Sequence, residues 1–272
     1  MKRGLIFLVM LAIWAGDVRA DGGSALRTLM TGDDSKGWHA VGRLNIGDNS
    51  FCTGALIAPD LVLTAAHCMY NMDTGTRIDD AEVQFLADWR GGRAAAYRGI
   101  RRSLVHPGFM QAGENFVDRV AFDVAILELD QPIRKGSITP FAIEPRADDG
   151  TAVGVISYAH DRADSPSLQE VCHVLAHHGE SLVLSCDVDS GSSGAPVFVV
   201  ENGVAKIVSL VSAKARVQGQ AVALGTPLQA PLEELMALRA QGDGVFRKPP
   251  PVVRQLSMDA TQSVTGAKFL RP

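Results

Sequence analysis

The chain has 272 residues, 46% of them hydrophobic and 21% charged, with a formal net charge of −4. This composition can bury one large core or two smaller ones and excludes a disordered or fibrous chain. The mildly acidic balance and the lack of any long basic block give no electrostatic footprint for nucleic acid, so no such partner is expected.

The first twenty residues read as a separate object. Lys2 and Arg3 precede an apolar run from Leu5 to Ala15, and V-R-A at Val18 to Ala20 fits a small-x-small cleavage site. We read residues 1–20 as a secretory signal rather than a buried N-terminal helix. Removing them takes away three basic groups and one acid, changing −4 to −6. No later stretch reaches the roughly eighteen consecutive apolar residues of a membrane span. The mature chain is therefore expected to be secreted or periplasmic, off the membrane and monomeric.

Residues 21–37 are polar and rich in Gly, Asp and Ser, and are expected to form a mobile leader. A meander of short strands follows at Ala40 to Ile46, Cys52 to Ala58 and Leu61 to Ala65, separated by turn signals. Thr64 to Tyr70 should leave the strand in one helical turn that presents His67 at a strand end. The acidic loop Asn71 to Ala81 holds Asp73, Asp79 and Asp80 but lacks the regular ligand spacing of a calcium loop, so it reads as a solvated connection. Further strands are predicted at Glu82 to Ala87, Ala95 to Val105 and Val124 to Leu129.

Pro132 to Pro145 has turn residues and little periodicity, and Glu144 to Gly150 is taken as the boundary between residues 38–145 and 146–242. A second series of strands is predicted at Thr151 to Ser157, Glu170 to Ala176, Leu182 to Cys186, Ala195 to Val200, Val204 to Val211 and Gln220 to Thr226. Pro231, Leu232, Leu235, Met236 and Leu238 fit a short amphipathic helix opened by proline and closed near Gly242. Residues 243–272, with K-P-P-P at Lys248 to Pro251, read as an extended or disordered tail. About a dozen short strands in two sets with one terminal helix predict an all-β protein of two barrels.

Four cysteines suit an oxidising compartment. Their placement on neighbouring predicted strands groups Cys52 with Cys68 and Cys172 with Cys186, although four cysteines allow three connectivities. No C-x-x-C spacing supports a zinc site, so neither metal nor cofactor is expected.

The stretch S-C-D-V-D-S-G-S-S-G-A-P-V-F, Ser185 to Phe198, puts Ser193 in a glycine-rich bend. Such a bend lifts one hydroxyl into solvent and can aim successive backbone N–H groups at one point, as an oxyanion hole requires. A serine hydroxyl is a weak nucleophile unless an imidazole takes its proton and a carboxylate holds that imidazole in the right tautomer. T-A-A-H-C at Thr64 to Cys68 and D-V-A-I-L-E-L at Asp123 to Leu129 supply both groups.

On these residues the chain resembles the trypsin-like (chymotrypsin-fold) serine endopeptidases, of the secreted bacterial type. The likeness runs from about Trp38 to Leu238 and rests on L-T-A-A-H-C (Leu63 to Cys68), V-H-P-G-F (Val105 to Phe109), D-V-A-I-L-E-L, G-S-S-G-A-P (Gly191 to Pro196) and I-V-S-L-V (Ile207 to Val211). The resemblance implies two six-stranded antiparallel barrels with the active site between them, the first barrel carrying His67 and Asp123 and the second Ser193. It makes His67 the general base and then acid, Asp123 its orienting carboxylate and Ser193 the acylated nucleophile. The amides of Gly191 and Ser193 become the oxyanion hole, and proteins or peptides the substrates.

The same resemblance matches Cys52 to Cys68 with the family's bridge beside the histidine, and makes Cys172 to Cys186 a tie across a hairpin. Ser209 is matched to the serine that touches the triad aspartate. Asp187, six positions before Ser193, is matched to the acid that binds Lys or Arg substrate side chains, with Asp189 as a competitor. Val208 stands where glutamate-selective relatives place histidine before that serine, so a glutamate preference is not implied. Ser192 replaces the acid that pairs with a newly cut amino terminus in trypsins, and the I-V-G-G activation sequence is missing, so activation by the trypsin route is not expected. Two rival readings are a catalytically silent relative that binds proteins through the same cleft, and an esterase of another fold. The second would carry G-x-S-x-G with histidine last in the chain, an order not found here.

Overall fold

A computed structural model of the protein describes residues 23–111, 116–144 and 146–242. The expected signal peptide, the start of the leader and the expected tail lie outside the described residues.

The leader does not behave as a free segment. Strand β1 (Arg27–Thr28) is followed by Leu29, whose side chain is wholly buried. Full burial of a leucine is worth about 1.5–3 kcal/mol, enough to hold a short segment against a barrel. The expectation of a mobile leader is therefore corrected for residues 23–37.

The first barrel is built from β2 (Val41–Ile46), β3 (Ser50–Ala58) and β4 (Leu61–Thr64), followed after a small ribbon by three further strands. The ribbon, β5 (Tyr70–Asn71) and β6 (Thr76–Arg77), folds the acidic loop back on itself. Strands β7 (Val83–Ala87) and β8 (Ala96–Val105) lead into two short helices, α1 (Pro107–Gln111) and α2 (Phe116–Ala121), and then β9 (Ala125–Leu129). The barrel closes in the order β2-β3-β4-β9-β8-β7. Closure removes the strand edges that would otherwise invite pairing with other chains. Neither short helix has a signal in the sequence pattern, because five or six residues are too few for a helical period to show.

Strand β10 (Ala142–Ile143) lies in the stretch expected to be an aperiodic connection, yet it pairs in parallel with Lys206–Ile207 of the second sheet. That sheet contains β11 (Ala152–Ser157), β12 (Ser167–His178), β13 (Ser181–Leu184), β14 (Pro196–Glu201), β15 (Val204–Val217) and β16 (Gln220–Pro227). Pairing of β12 with both β11 and β13 closes these six strands into a second antiparallel barrel, and β1 adds outside β12. Strands β12 and β15 run well past their predicted ends, forming long hairpins beyond the barrel wall. Their ends mix polar residues with Ala213, Ala215 and the exposed Val217, which hides the continuation from a pattern reading.

The C-terminal helix α3 (Gln229–Gln241) ends at Gly242, whose φ of 81° caps the last turn in the left-handed region. Pro231 lies within its first turn, a position where a missing N–H costs nothing. The helix follows the second barrel in sequence, but the polar partners of its Arg239 and Glu234 are in the first. Arg239 Nε donates to Glu128 Oε1 at 2.6 Å, and Glu234 meets the nearly buried His106 at 3.0 Å. Burial alone would raise the Glu128 pKa; hydrogen bonds from Arg239 and Arg102 reverse the effect and leave it lowered. The helix thus straps the two halves together.

Candidate active site

His67 sits on a single helical turn, Ala66–Met69, that interrupts the chain as it leaves β4. The Cys52–Cys68 disulfide ties this turn to β3, as the spacing and the resemblance both suggested. Asp123 follows the end of α2, just before β9, and is 2% exposed. The two groups meet: His67 Nδ1 lies 2.7 Å from Asp123 Oδ2, and the His67 backbone N–H donates to Asp123 Oδ1 at 2.8 Å. Donation from Nδ1 leaves Nε2 with the lone pair, the tautomer required of a base.

A third donor reaches the same carboxylate. Ser212 Oγ donates to Asp123 Oδ2, whereas Ser209 Oγ donates to the Thr226 carbonyl at 2.8 Å. The expectation that Ser209 supports Asp123 is corrected: Ser212 does so. The one-residue bulge between Val211 and Ala213 turns Ser212 inward, and no sequence pattern announces such a bulge. The residue before the supporting serine becomes Val211, again an aliphatic side chain rather than histidine.

Burial, the largest influence on His67, would lower its pKa. The charge of Asp123 and the hydrogen bond to it outweigh that effect, Arg119 opposes them weakly, and the net result is a raised value. A base whose pKa lies above the ordinary histidine value takes protons readily at neutral pH.

Ser193 is half-buried and lines a cavity of about 470 Å³ together with His67. Among the described residues no hydrogen bond joins Ser193 Oγ to the imidazole; such contacts often tighten only when substrate arrives. The loop around it is held from both sides. Thr53 Oγ1 donates to Gly191 O at 2.9 Å, and the Thr53 N–H donates to Ser193 O at 2.8 Å. Thr53 is fully buried on β3, so a first-barrel strand sets the position of the second-barrel loop. Its role escapes sequence reasoning because a lone threonine in a strand carries no distinctive signal.

Gly191 and Gly194 take φ values of 97° and 75°. A β-carbon at Gly191 would strike the Phe51 ring, and one at Gly194 would strike Thr64 Oγ1, the Thr53 carbonyl and, at 2.8 Å, the Ala65 amide. The Ser192, Gly194 and Ala195 amides donate to Asp189, Val211 and Ser192 carbonyls. Among the described residues the Gly191 and Ser193 amides have no such partner, which leaves two donors on either side of Ser192 for a developing oxyanion.

Asp187 is exposed and lines a different cavity, with Gly23, Ser24 and Lys214, in which neither His67 nor Ser193 takes part. Asp189 lies 3.9 Å from Lys214 Nζ. The second disulfide joins Cys172 to Cys186 and fastens β12 to the start of this loop. Cys52, His67 and Cys68 bring three metal-ligating atoms within 4.8 Å, but the two sulfurs are joined to each other.

Two antiparallel barrels with an Asp–His pair on one and a serine in a glycine bend on the other define a chymotrypsin-like fold. The family described as Trypsin matches residues 31–229, most of the chain, which therefore belongs to the trypsin family. It is 26% identical over 180 residues to Glutamyl endopeptidase of Bacillus licheniformis, covering 65% of this chain and 54% of that protein. It is 28% identical over 166 residues to human Serine protease 23, covering 54% of this chain and 43% of that one. The chain thus spans about half the length of these curated relatives. A solved structure of Glu endopeptidase superposes with a TM-score of 0.67 at 19% identity, covering 81% of this chain and 99% of the other. The fold agrees with the expectation from sequence.

Proposed function

We propose that the protein is a secreted or periplasmic serine endopeptidase that hydrolyses peptide bonds through an acyl-enzyme. Ser193 attacks the scissile carbonyl, and His67 takes its proton and later delivers it to the leaving amine. Asp123 holds the imidazole and stabilises the imidazolium that forms. The Gly191 and Ser193 amides receive the oxyanion. The observation that carries this reading is the three-donor setting of Asp123, with His67 between it and the cavity that Ser193 lines.

Substrate entry follows from the pairing of β15. Strand β14 pairs with it only as far as Leu210, while β16 pairs as far as Val217. One edge of residues 212–217 is left for an extended peptide to add as a strand. Ser192 is fully buried, with its Oγ accepting from the Asp189 amide and donating to the Tyr158 carbonyl. A neutral residue satisfied in this way needs no ion pair from a new amino terminus, so the loop is formed without trypsin-style activation.

The test is labelling by a fluorophosphonate probe. Labelling of the wild type and none of Ser193→Ala supports the proposal; a wild type that stays unlabelled while folded favours the silent relative.

A further inference from the structure

We propose that Arg119 gives the enzyme a preference for an acidic substrate side chain, Asp or Glu, at the residue immediately preceding the one that carries the scissile carbonyl. The inference rests on the proteolytic reading above and extends it to substrate choice.

Arg119 lies on α2, four positions before Asp123, and lines a cavity of about 230 Å³ with His67, Met72, Phe109, Val120 and Ala213. Its guanidinium carbon is 5.0 Å from the centre of the Phe109 ring, and Nη2 is 4.0 Å from Met72 Sδ. These neighbours pack the group and hold it in place, but a thioether is a weak acceptor and a ring face only partly compensates a cation. Among the described residues no carboxylate lies within ion-pair reach of Arg119. The one carboxylate in the cavity, Asp123, already accepts from His67 and Ser212. The positive field reaches the reacting groups, since Arg119 opposes protonation of His67. A half-buried guanidinium that meets no carboxylate among the described residues is suited to bind a planar carboxylate.

The position of the acid follows from the strand edge. A peptide added along residues 212–217, with its scissile carbonyl at Ser193, passes Ala213 one residue earlier. Ala213 and His67 both line the Arg119 cavity, so the side chain of that preceding residue enters it. Alanine at 213 leaves the entrance open.

The full-length protein and its Arg119→Gln, Arg119→Lys and Arg119→Glu variants are each digested against a proteome-derived peptide library, with cut sites read by mass spectrometry. Matched peptides differing only by Glu or Gln at the preceding position then give a kcat/KM ratio. The wild type should favour Glu by about tenfold, the size of one half-desolvated charge pair, and less as salt is raised. The ratio should fall to about one in Arg119→Gln, stay above one in Arg119→Lys and drop below one in Arg119→Glu. A wild type that cuts without acid enrichment at this position, or a ratio unchanged in Arg119→Gln, overturns the inference. If the wild type cuts nothing, the proteolytic reading fails on its own, and selection is read from binding. Ser193→Ala protein should then retain acid-bearing library peptides over its Arg119→Gln double variant, and equal retention overturns the inference.

Discussion

Ser212 donates its hydroxyl to Asp123 Oδ2, the oxygen that also accepts from His67 Nδ1. The two residues come from different barrels, so the orientation of the base depends on how the barrels are seated on one another. Thr226 reinforces the seating by donating to the carbonyls of Val120 and Asp123 at 2.9 and 3.3 Å.

Ser212→Ala should lower kcat/KM about tenfold, the effect of losing one hydrogen bond to a buried charge. Ser209→Ala should change it by no more than about two- to threefold, since the Ser209 hydroxyl is committed to the Thr226 carbonyl. Steady-state kinetics on one peptide substrate separate the two. Equal losses would return the supporting role to Ser209.

Under the proposed mechanism the raised pKa of His67 sets the acid limb of the activity profile. Only neutral imidazole acts as a base, so kcat/KM should climb with pH through an apparent value above the ordinary 6.5. The stability contributed by the imidazolium–Asp123 pair has the opposite dependence: it is complete below 6.5 and is lost as pH rises through the folded value. Asp123→Asn should move the acid limb down and reduce kcat by about 10⁴. Ser193→Ala and His67→Ala should each cost on the order of 10⁶.

His106 titrates with the other sign. Burial lowers its pKa more than Glu234 raises it, and its Nδ1 accepts from the Gly108 amide while Nε2 faces Glu234. Folding therefore favours the neutral ring; this stability is present above 6.5 and is lost as pH falls through the folded value. Thermal melts from pH 7.5 to about 5 should show a falling Tm in the wild type and a shallower fall in His106→Asn.

Gly191→Ala and Gly194→Ala should fail differently. At Gly191 the nearest obstruction is the Phe51 ring, with the Ala159 Cα at 3.1 Å and a φ of 97° that an L side chain rarely adopts, so the variant should fold with reduced stability and lose about 10²–10³ in kcat as one oxyanion donor is misplaced. At Gly194 the obstruction includes backbone atoms of Thr53 and Ala65, so the variant should fold poorly. Circular dichroism beside the kinetics distinguishes the two outcomes.

Leu29→Ala should destabilise the protein by about 2–4 kcal/mol, read from urea denaturation. Removing the Cys172–Cys186 bridge, which closes a loop with a sequence separation of 14, should cost about 3 kcal/mol. A Leu29→Ala loss within about 0.5 kcal/mol would mean that the leader is not docked in solution.

Much of the site was legible beforehand because its chemistry is compressed into short strings. T-A-A-H-C and G-S-S-G-A-P each combine a reactive side chain with the small residues its turn demands, and both turns are found where they were expected. Ser212, Thr53 and Thr226 were not legible. Each is an ordinary hydroxyl on an ordinary strand and acts only through a neighbour more than ten positions away. Arg119 was hidden in the same way, on a helix too short to announce itself.

Local pattern alone indicated short strands in two sets, a terminal helix closed by glycine and a natural grouping of the four cysteines, whereas the roles of His67, Asp123 and Ser193 came from the family resemblance. Those features depend on backbone conformation and side-chain chemistry within a few positions. Which serine supports Asp123, where the leader lies and which barrel receives the last helix were decided by tertiary packing. A bulge of one residue reverses the face a side chain presents, and a single leucine adds to whichever core has room, so neither outcome can be read from nearby residues.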